Sequence, residues 1–95
     1  MPGSESKNKR TKPVIWSQNV KEDLEKVFDH ITENFSIELA IKKTNQIILE
    51  IESLSVFPRK GSISSNYSGF RELIVHSNTV YYRDNELEIL ITSIR

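Results

Sequence analysis

Four cationic side chains in the C-terminal half of the chain are the residues best suited to chemistry: Arg59, Lys60, Arg71 and Arg83. Cations of this kind can contact anionic groups or stabilise a developing negative charge, but acid–base catalysis also needs a base and an acid beside them. No acid–base pair stands beside them in the sequence. They are therefore candidates for contacting a target or a partner.

Other catalytic patterns are missing from the sequence. His30 and His76 are far apart, and two isolated imidazoles define no site, so both are expected to be surface or packing residues. The chain has no Gly-rich phosphate loop, no metal-spaced cluster and no nucleophile–base pair. It also has no cysteine, which excludes disulfides and thiolate metal sites. We predict neither a metal nor another cofactor.

The composition is that of one small soluble domain. A chain of 95 residues buries roughly 60–65% of its unfolded surface, which supports one modest core. No apolar run approaches the roughly 20 residues that span a bilayer, and the N-terminus lacks the apolar middle of a signal peptide. The sequence therefore predicts a cytoplasmic protein without a membrane partner.

Charge is unevenly distributed along the chain. Residues 1–12 carry four basic side chains and only one acid, although the net charge of the whole chain is zero. Residues 13–95 therefore hold 9 basic and 12 acidic side chains. Proteins that bind nucleic acid show the opposite balance, because phosphate contacts supply most of their affinity. We expect no direct nucleic-acid binding.

Composition divides the chain at residue 12. Residues 1–12 are rich in Ser, Lys and Asn and have no apolar residue after Met1, so we expect a disordered tail or, in part, a remnant of cloning. Residues 13–95 form the folded domain.

Two helices follow a short first strand. The apolar run Val14 to Trp16 predicts the strand, with Trp16 a packing residue or an exposed contact, and Ser17 is a plausible N-cap for the first helix. The first apolar stripe consists of Val20, Leu24, Val27, Phe28 and Ile31, and the second of Ile37, Ala40, Ile41, Thr44, Ile47, Ile48, Ile51 and Leu54. Both stripes have helical spacing. The short link between them predicts an antiparallel hairpin.

The C-terminal third predicts strands. Phe57-Pro58 ends the second helix, because proline disfavours helical geometry in the residue before it, and Gly61 supplies a turn. Three strands follow, the first with Phe70, Leu73 and Val75, the second over Val80–Tyr82, and the third with Leu87, Ile89 and Ile91. The fold class is α+β, in the order strand–helix–helix–strand–strand–strand, with a helical hairpin packed on a mainly antiparallel sheet.

Several segments in this order resemble the RelE/ParE superfamily of type II toxin–antitoxin toxins, in particular its ParE-like branch of plasmid stabilisation proteins. The matching segments are Val14-Ile-Trp-Ser17, Asp23-Leu24, Ile51-Glu-Ser-Leu54, Phe57-Pro58 with Gly61, Gly69-Phe-Arg-Glu-Leu-Ile-Val75 and Val80-Tyr-Tyr-Arg83. The resemblance covers about residues 13–95. Two departures stand out: the lead of twelve residues, and the end at Arg95, where family members usually continue into a short basic tail.

The resemblance implies a toxin neutralised by a cognate antitoxin with a disordered segment. ParE-like toxins are held to poison DNA gyrase, which is inhibition by binding and not catalysis. Two alternatives stay open: a RelE-like, ribosome-dependent mRNA endoribonuclease, and an inactive interaction module of the same fold. Gyrase as the target rests on family analogy alone.

Six residues are candidates for contacting the target or a partner: Arg59, Lys60, Arg71, Tyr82, Arg83 and Arg95. Arg71 could instead pair with a helix carboxylate such as Glu50 or Glu52, and Arg59 and Lys60 could simply be a solvated turn. Tyr81 and Tyr82 point to opposite faces of their strand. We expect one of them in the core and the other facing solvent or a partner.

Overall fold

The computed structural model of the chain describes residues 11–95 as two helices packed on one sheet. The elements are, in chain order, β1 (Val14–Trp16), α1 (Gln18–Asn34), α2 (Ile37–Glu52), a 3-10 turn (Ser53–Ser55), β2 (Ser62–Ile63), β3 (Arg71–Val75), β4 (Asn78–Asp84) and β5 (Ile89–Ile94). The predicted α+β class and element order are confirmed, with one strand added. No helix within residues 11–95 is long and apolar enough to cross a membrane.

Serine side chains begin both helices. The Ser17 hydroxyl accepts a hydrogen bond from the Val20 amide at 3.4 Å, and the Ser36 hydroxyl accepts one from the Leu39 amide at 3.1 Å. Each satisfies a first-turn N–H that has no partner within its helix. The cap at Ser36 begins α2 directly after α1 ends, so only two residues separate the helices. They form the predicted hairpin.

The sheet is mixed, with strand order β1-β5-β4-β3-β2. β1 runs parallel to β5, and the other pairs are antiparallel. β2 was not predicted, because two residues are too few to show an alternating pattern. It lies at the edge of the sheet beside β3.

The core lies between the hairpin and one face of the sheet. The helical side contributes Val20, Ile47, Ile51 and Leu54, and the sheet contributes Leu73, Val75, Val80, Tyr82, Ile89, Ile91 and Ile94. Full burial of a side chain of this size is worth about 1.5–3 kcal/mol. Ile37 and Ile41 belong to the predicted stripe of α2 but are half exposed, whereas Ala40 and Thr44 of the same stripe are buried.

A bulge in β5 changes which residues reach the core. Tyr81 pairs with Ser93 and Tyr82 pairs with Ile91, so Thr92 is an extra residue. The Thr92 hydroxyl donates a hydrogen bond to the Tyr81 carbonyl at 3.0 Å. The bulge resets the alternation and turns Ile94 inward.

The predicted start of the last strand at Leu87 is wrong. Leu87 precedes β5 and is 81% exposed. It belongs to the turn between β4 and β5, in which the Asn85 amide donates a hydrogen bond to the Glu88 carbonyl at 3.0 Å. The tight turn removes Leu87 from the alternating pattern.

The domain's N-terminal end is attached to the sheet. Lys12 Nζ lies 2.6 Å from a carboxylate oxygen of Asp84 and 2.9 Å from the Asn85 carbonyl oxygen. The Lys12 amide also donates to the Ser55 carbonyl. Of the predicted tail, residues 1–10 lie outside the described residues, while Lys12 is held in place.

Candidate functional site

Four of the six candidate residues meet at the turn that follows α2, residues 57–61. Arg59 and Lys60 lie on this turn, and Arg71 and Tyr82 reach it from β3 and β4. The main-chain path is fixed first by local hydrogen bonds, from the Phe57 amide to the Ser53 carbonyl and from the Lys60 amide to the Phe57 carbonyl. Contacts from the sheet then complete the turn.

Tyr82 holds the turn from inside the core. Its side chain is completely buried, and its hydroxyl donates a hydrogen bond to the Pro58 carbonyl at 2.7 Å and accepts one from the Gly61 amide at 3.0 Å. Burial raises the pKa of Tyr82, against the opposing effects of the Gly61 hydrogen bond and the Arg71 charge. A neutral, buried phenol does not reach a partner, so the structure gives Tyr82 a structural position.

Tyr81 is covered as well, which corrects the expectation that one of the two tyrosines faces solvent or a partner. It points away from the helices, but the Tyr67 ring stacks edge-on against it with centroids 5.2 Å apart. Only 9% of Tyr81 is exposed. The loop between β2 and β3 folds over this face of the sheet, and no alternating pattern in the sequence signals that.

Position 61 requires glycine because the main chain of the turn lies very close to β3 and β4. A Cβ atom at this position would lie 2.7 Å from the Glu72 carbonyl oxygen and 2.8 Å from two atoms of the Tyr82 side chain. Real Cβ atoms do not come so close to backbone oxygen. The turn can therefore pack against β3 and β4 only with glycine here.

Arg71 binds the same turn through a backbone oxygen. Its Nη1 donates a hydrogen bond to the Gly61 carbonyl at 2.7 Å. The alternative pairing with Glu50 is not formed, because the Glu50 carboxylate pairs with Lys60 at 2.5 Å. Arg71 therefore contacts a main-chain oxygen of the turn and not Glu50 or Glu52, and β3 places it beside Tyr82.

Arg59 and Lys60 have different surroundings. Lys60 Nζ is held by Glu50 and by the Ser53 hydroxyl at 3.2 Å. Arg59 is exposed and forms no hydrogen bond or ion pair within residues 11–95. Next to it, Val56 and Phe57 are 52% and 62% exposed. The turn therefore presents one free cation beside two exposed apolar side chains.

Arg83 and Arg95 lie elsewhere, on the outer face of the sheet, which is the face turned away from the helices. The Arg83 guanidinium carbon lies 5.5 Å from the centroid of the Phe70 ring, and that of Arg95 lies 5.8 Å from the Tyr67 centroid. Arg95 Nη1 also donates to the Tyr67 hydroxyl at 3.3 Å. Both distances suit cation–π attraction. The aromatic partners were not predicted, because they lie in a loop without periodicity.

A groove of about 780 Å³ opens between the hairpin and the end of β5. Its apolar lining includes Val27, Ile31, Phe35, Leu39 and Ile94, and its charged or polar lining includes Asp23, Lys26, His30, Lys43 and Arg95. Phe35 is 70% exposed, and Asp23 is already engaged as acceptor for the Ile94 amide at 2.9 Å. The Arg95 guanidinium is engaged at Tyr67, so the free charged side chains of the groove lining are Lys26 and Lys43.

The two histidines are separated from the turn of residues 57–61. His30 lines the groove, where its Nδ1 lies 3.2 Å from the Asn34 side-chain nitrogen. His76 follows β3 at the end opposite Arg71 and contacts the Gln46 side chain. Neither imidazole forms an acid–base pair with the cations of the turn. Within residues 11–95, no three His, Asp or Glu side chains are grouped to hold a metal ion.

Comparisons with known proteins identify the family of this chain. A family model described as "ParE toxin of type II toxin-antitoxin system, parDE" matches residues 14–95. Toxin ParE3 of Caulobacter vibrioides is 34% identical over 82 residues, which cover 85% of this chain and 82% of that protein.

Two solved structures share the fold. One is titled "Chromosomal ParDE TA system from P. aeruginosa", with a TM-score of 0.79 at 23% identity. The match covers 90% of this chain and 95% of the solved chain. A "YoeB-YefM complex from Staphylococcus aureus" has a TM-score of 0.56 at 18% identity, covering 88% and 94%. The predicted resemblance is confirmed. With a family match over residues 14–95, the chain belongs to the ParE toxins of type II toxin–antitoxin systems, within the RelE/ParE superfamily.

Proposed function

We propose that this chain is a toxin that acts in the cytoplasm by binding and inhibiting DNA gyrase, and that a cognate antitoxin neutralises it. The match to the ParE family over residues 14–95 carries this proposal. The site geometry supports inhibition by binding. Arg71 and Tyr82 are engaged in holding a turn, and no imidazole stands beside them.

The direct test is a gyrase supercoiling assay with purified protein. Inhibition at close to stoichiometric concentrations is expected, since a binding inhibitor must occupy each enzyme molecule. Supercoiling that continues at a large molar excess of the protein would contradict the proposal. The Tyr82→Phe protein is unsuitable as a loss-of-function control, because it is expected to lose two hydrogen bonds of the core and some stability.

For the antitoxin, the groove beside β5 is the proposed binding site. Apolar side chains with the neighbouring cations Lys26 and Lys43 suit an amphipathic segment with apolar and acidic faces. Such a segment would fold as it binds. The relatives with solved structures include a ParDE system and a YoeB–YefM complex, which supports a partner of this kind.

Substitution at Phe35 tests the groove. Phe35→Asp places a negative charge at an exposed apolar position of the lining, and it should weaken antitoxin binding by at least about tenfold. Leu87→Asp is the matched control, because Leu87 is also a highly exposed apolar residue but lies in the turn before β5. Titration calorimetry with the antitoxin encoded beside this toxin measures both. Equal affinities for the two variants would exclude the groove.

A second candidate function is ribosome-dependent mRNA cleavage. One observation favours it: Arg83 and Arg95 lie over aromatic rings on the outer face of the sheet, and cations with aromatic rings can hold single-stranded RNA. Translating ribosomes incubated with the protein would then yield cut mRNA, while gyrase would be unaffected. An inactive interaction module would show neither effect and would still bind the antitoxin.

A further inference from the structure

The exposed surface just after α2 consists of Val56, Phe57 and Arg59, which we call the knuckle. Val56 and Phe57 are neighbours in sequence and are both more than half exposed. Single exposed apolar residues, such as Leu87, are ordinary on protein surfaces and need no explanation. Here two of them adjoin a cation, and Phe and Arg are both enriched at protein interfaces relative to the rest of the surface.

The knuckle is fixed before any partner arrives. Its main chain is hydrogen-bonded locally, and the Tyr82 hydroxyl and the Arg71 guanidinium bind the backbone of the residues that follow. A Cβ atom at Gly61 would meet Glu72 and Tyr82, so the main chain there packs closely against β3 and β4. A rigid surface loses little conformational entropy when it binds. Arg71 and Tyr82 are therefore positioning residues for this surface.

The charge of the knuckle indicates the kind of partner. Lys60 is neutralised by Glu50, which leaves Arg59 as the free cation of the turn. A nucleic-acid surface depends on several phosphate contacts at once, and one arginine beside two apolar side chains does not meet that need. A carboxylate at the edge of an apolar pocket does complement it.

We infer that Val56, Phe57 and Arg59 form the surface that docks the toxin on its protein target, at an apolar pocket beside a carboxylate. This inference rests on the proposed function in one respect: the protein must be a toxin that acts by binding. It adds the contact surface and the chemistry of the target site.

The knuckle and the groove lie at opposite ends of α2. Leu39, in the groove, is 17 residues before Val56, a distance of about 25 Å at the rise of an α-helix. Substitutions in the knuckle should therefore leave antitoxin binding unchanged. The two functions can be separated by mutation.

The test uses a double variant, Phe57→Ser with Arg59→Glu, in the full chain. The matched control, Leu87→Ser with Lys42→Glu, also replaces an apolar residue by serine and a cation by glutamate. Both of its positions are exposed and lie outside the knuckle and the groove. Four quantities are measured for each: growth arrest on expression, gyrase inhibition, antitoxin affinity and binding of a single-stranded RNA oligonucleotide. The knuckle variant should lose at least about tenfold in gyrase inhibition and should no longer arrest growth. Its antitoxin affinity should stay within about twofold of wild type, which also shows that it folds.

Each outcome decides between the claims. A knuckle variant that arrests growth like the wild type overturns the inference, whatever the target. If the wild type arrests growth without inhibiting gyrase, gyrase is wrong as the target, and the growth assay still tests the knuckle. If the wild type does neither, the proposed function and the inference fail together. Loss of binding to a single-stranded RNA oligonucleotide in the variant would identify a nucleic-acid surface and overturn the protein-docking assignment.

Discussion

The Tyr82 hydroxyl donates a hydrogen bond to the Pro58 carbonyl over 2.7 Å, and it connects residues 24 positions apart in the chain. The same oxygen accepts from the Gly61 amide. A single phenol therefore fixes both ends of the turn after α2 to the middle of the sheet. Because this residue is completely buried, the turn is an extension of the core and not a loose connection.

Removing this hydroxyl should destabilise the fold. Tyr82→Phe leaves the Pro58 carbonyl and the Gly61 amide without their partner, and an unsatisfied buried polar group costs about 1–3 kcal/mol. Urea denaturation measures the change in the free energy of unfolding. Tyr67→Phe is the control, because its hydroxyl is on the surface and should matter by no more than about 0.5 kcal/mol. Equal losses in the two variants would contradict the assigned role.

The stability should also fall at alkaline pH because of Tyr82. Burial raises its pKa in the folded state, whereas in the unfolded chain it ionises near the ordinary value of about 10. Above pH 10 the folded state therefore holds more protons than the unfolded state, and the free energy of unfolding decreases as pH rises through the folded pKa. Below pH 10 this contribution is complete.

The Tyr82→Phe protein isolates this effect from the other groups that titrate at high pH. The difference in the free energy of unfolding between wild type and this variant should be constant from pH 7 to about 9 and should become smaller above about pH 10. Denaturant midpoints across this range provide the measurement. If the stability difference between the variant and wild type stayed the same up to about pH 11, Tyr82 would ionise equally in the folded and unfolded states.

Two glycines should respond to alanine for different reasons. Gly61→Ala places a Cβ atom against the Glu72 carbonyl and the Tyr82 ring, and overpacking of this kind costs about 1–3 kcal/mol or more. Gly69 has φ +84° with nothing within 4 Å of its Cβ position, so alanine there costs only backbone strain of about 1–2 kcal/mol. Near-ultraviolet circular dichroism separates the two cases, because only Gly61→Ala should alter tyrosine packing. An unchanged spectrum for Gly61→Ala would contradict the close approach.

The attachment of Lys12 to Asp84 should contribute little. Their side chains are 25% and 18% exposed and are 2.6 Å apart, and ion pairs near the surface are worth about 0–1 kcal/mol. A double-mutant cycle with Lys12→Ala and Asp84→Ala should give a coupling energy in that range, reduced by added salt. A coupling above about 2 kcal/mol would mean that the N-terminal end is a principal support of the sheet.

Local patterns in the sequence predicted most of the elements. Helical spacing and the serine caps located α1 and α2, and alternation located β3, β4 and most of β5. These signals depend on residues close together in the chain. Leu87 was misplaced because an apolar residue in a turn can continue an alternating pattern by chance. The bulge at Thr92 was missed because one extra residue only shows when a partner strand is present.

The candidate cations were also identified from the sequence, but their roles were not. By itself the sequence determined the fold class, the family and the absence of cysteine, since these follow from composition, spacing and motif order. The tertiary structure decided that Arg71 and Tyr82 hold a turn, that Arg83 and Arg95 lie on aromatic rings, and that Arg59 is free. Those roles depend on contacts between residues from 10 to 28 positions apart. No local pattern encodes such contacts, because they form only when the hairpin and the sheet pack together.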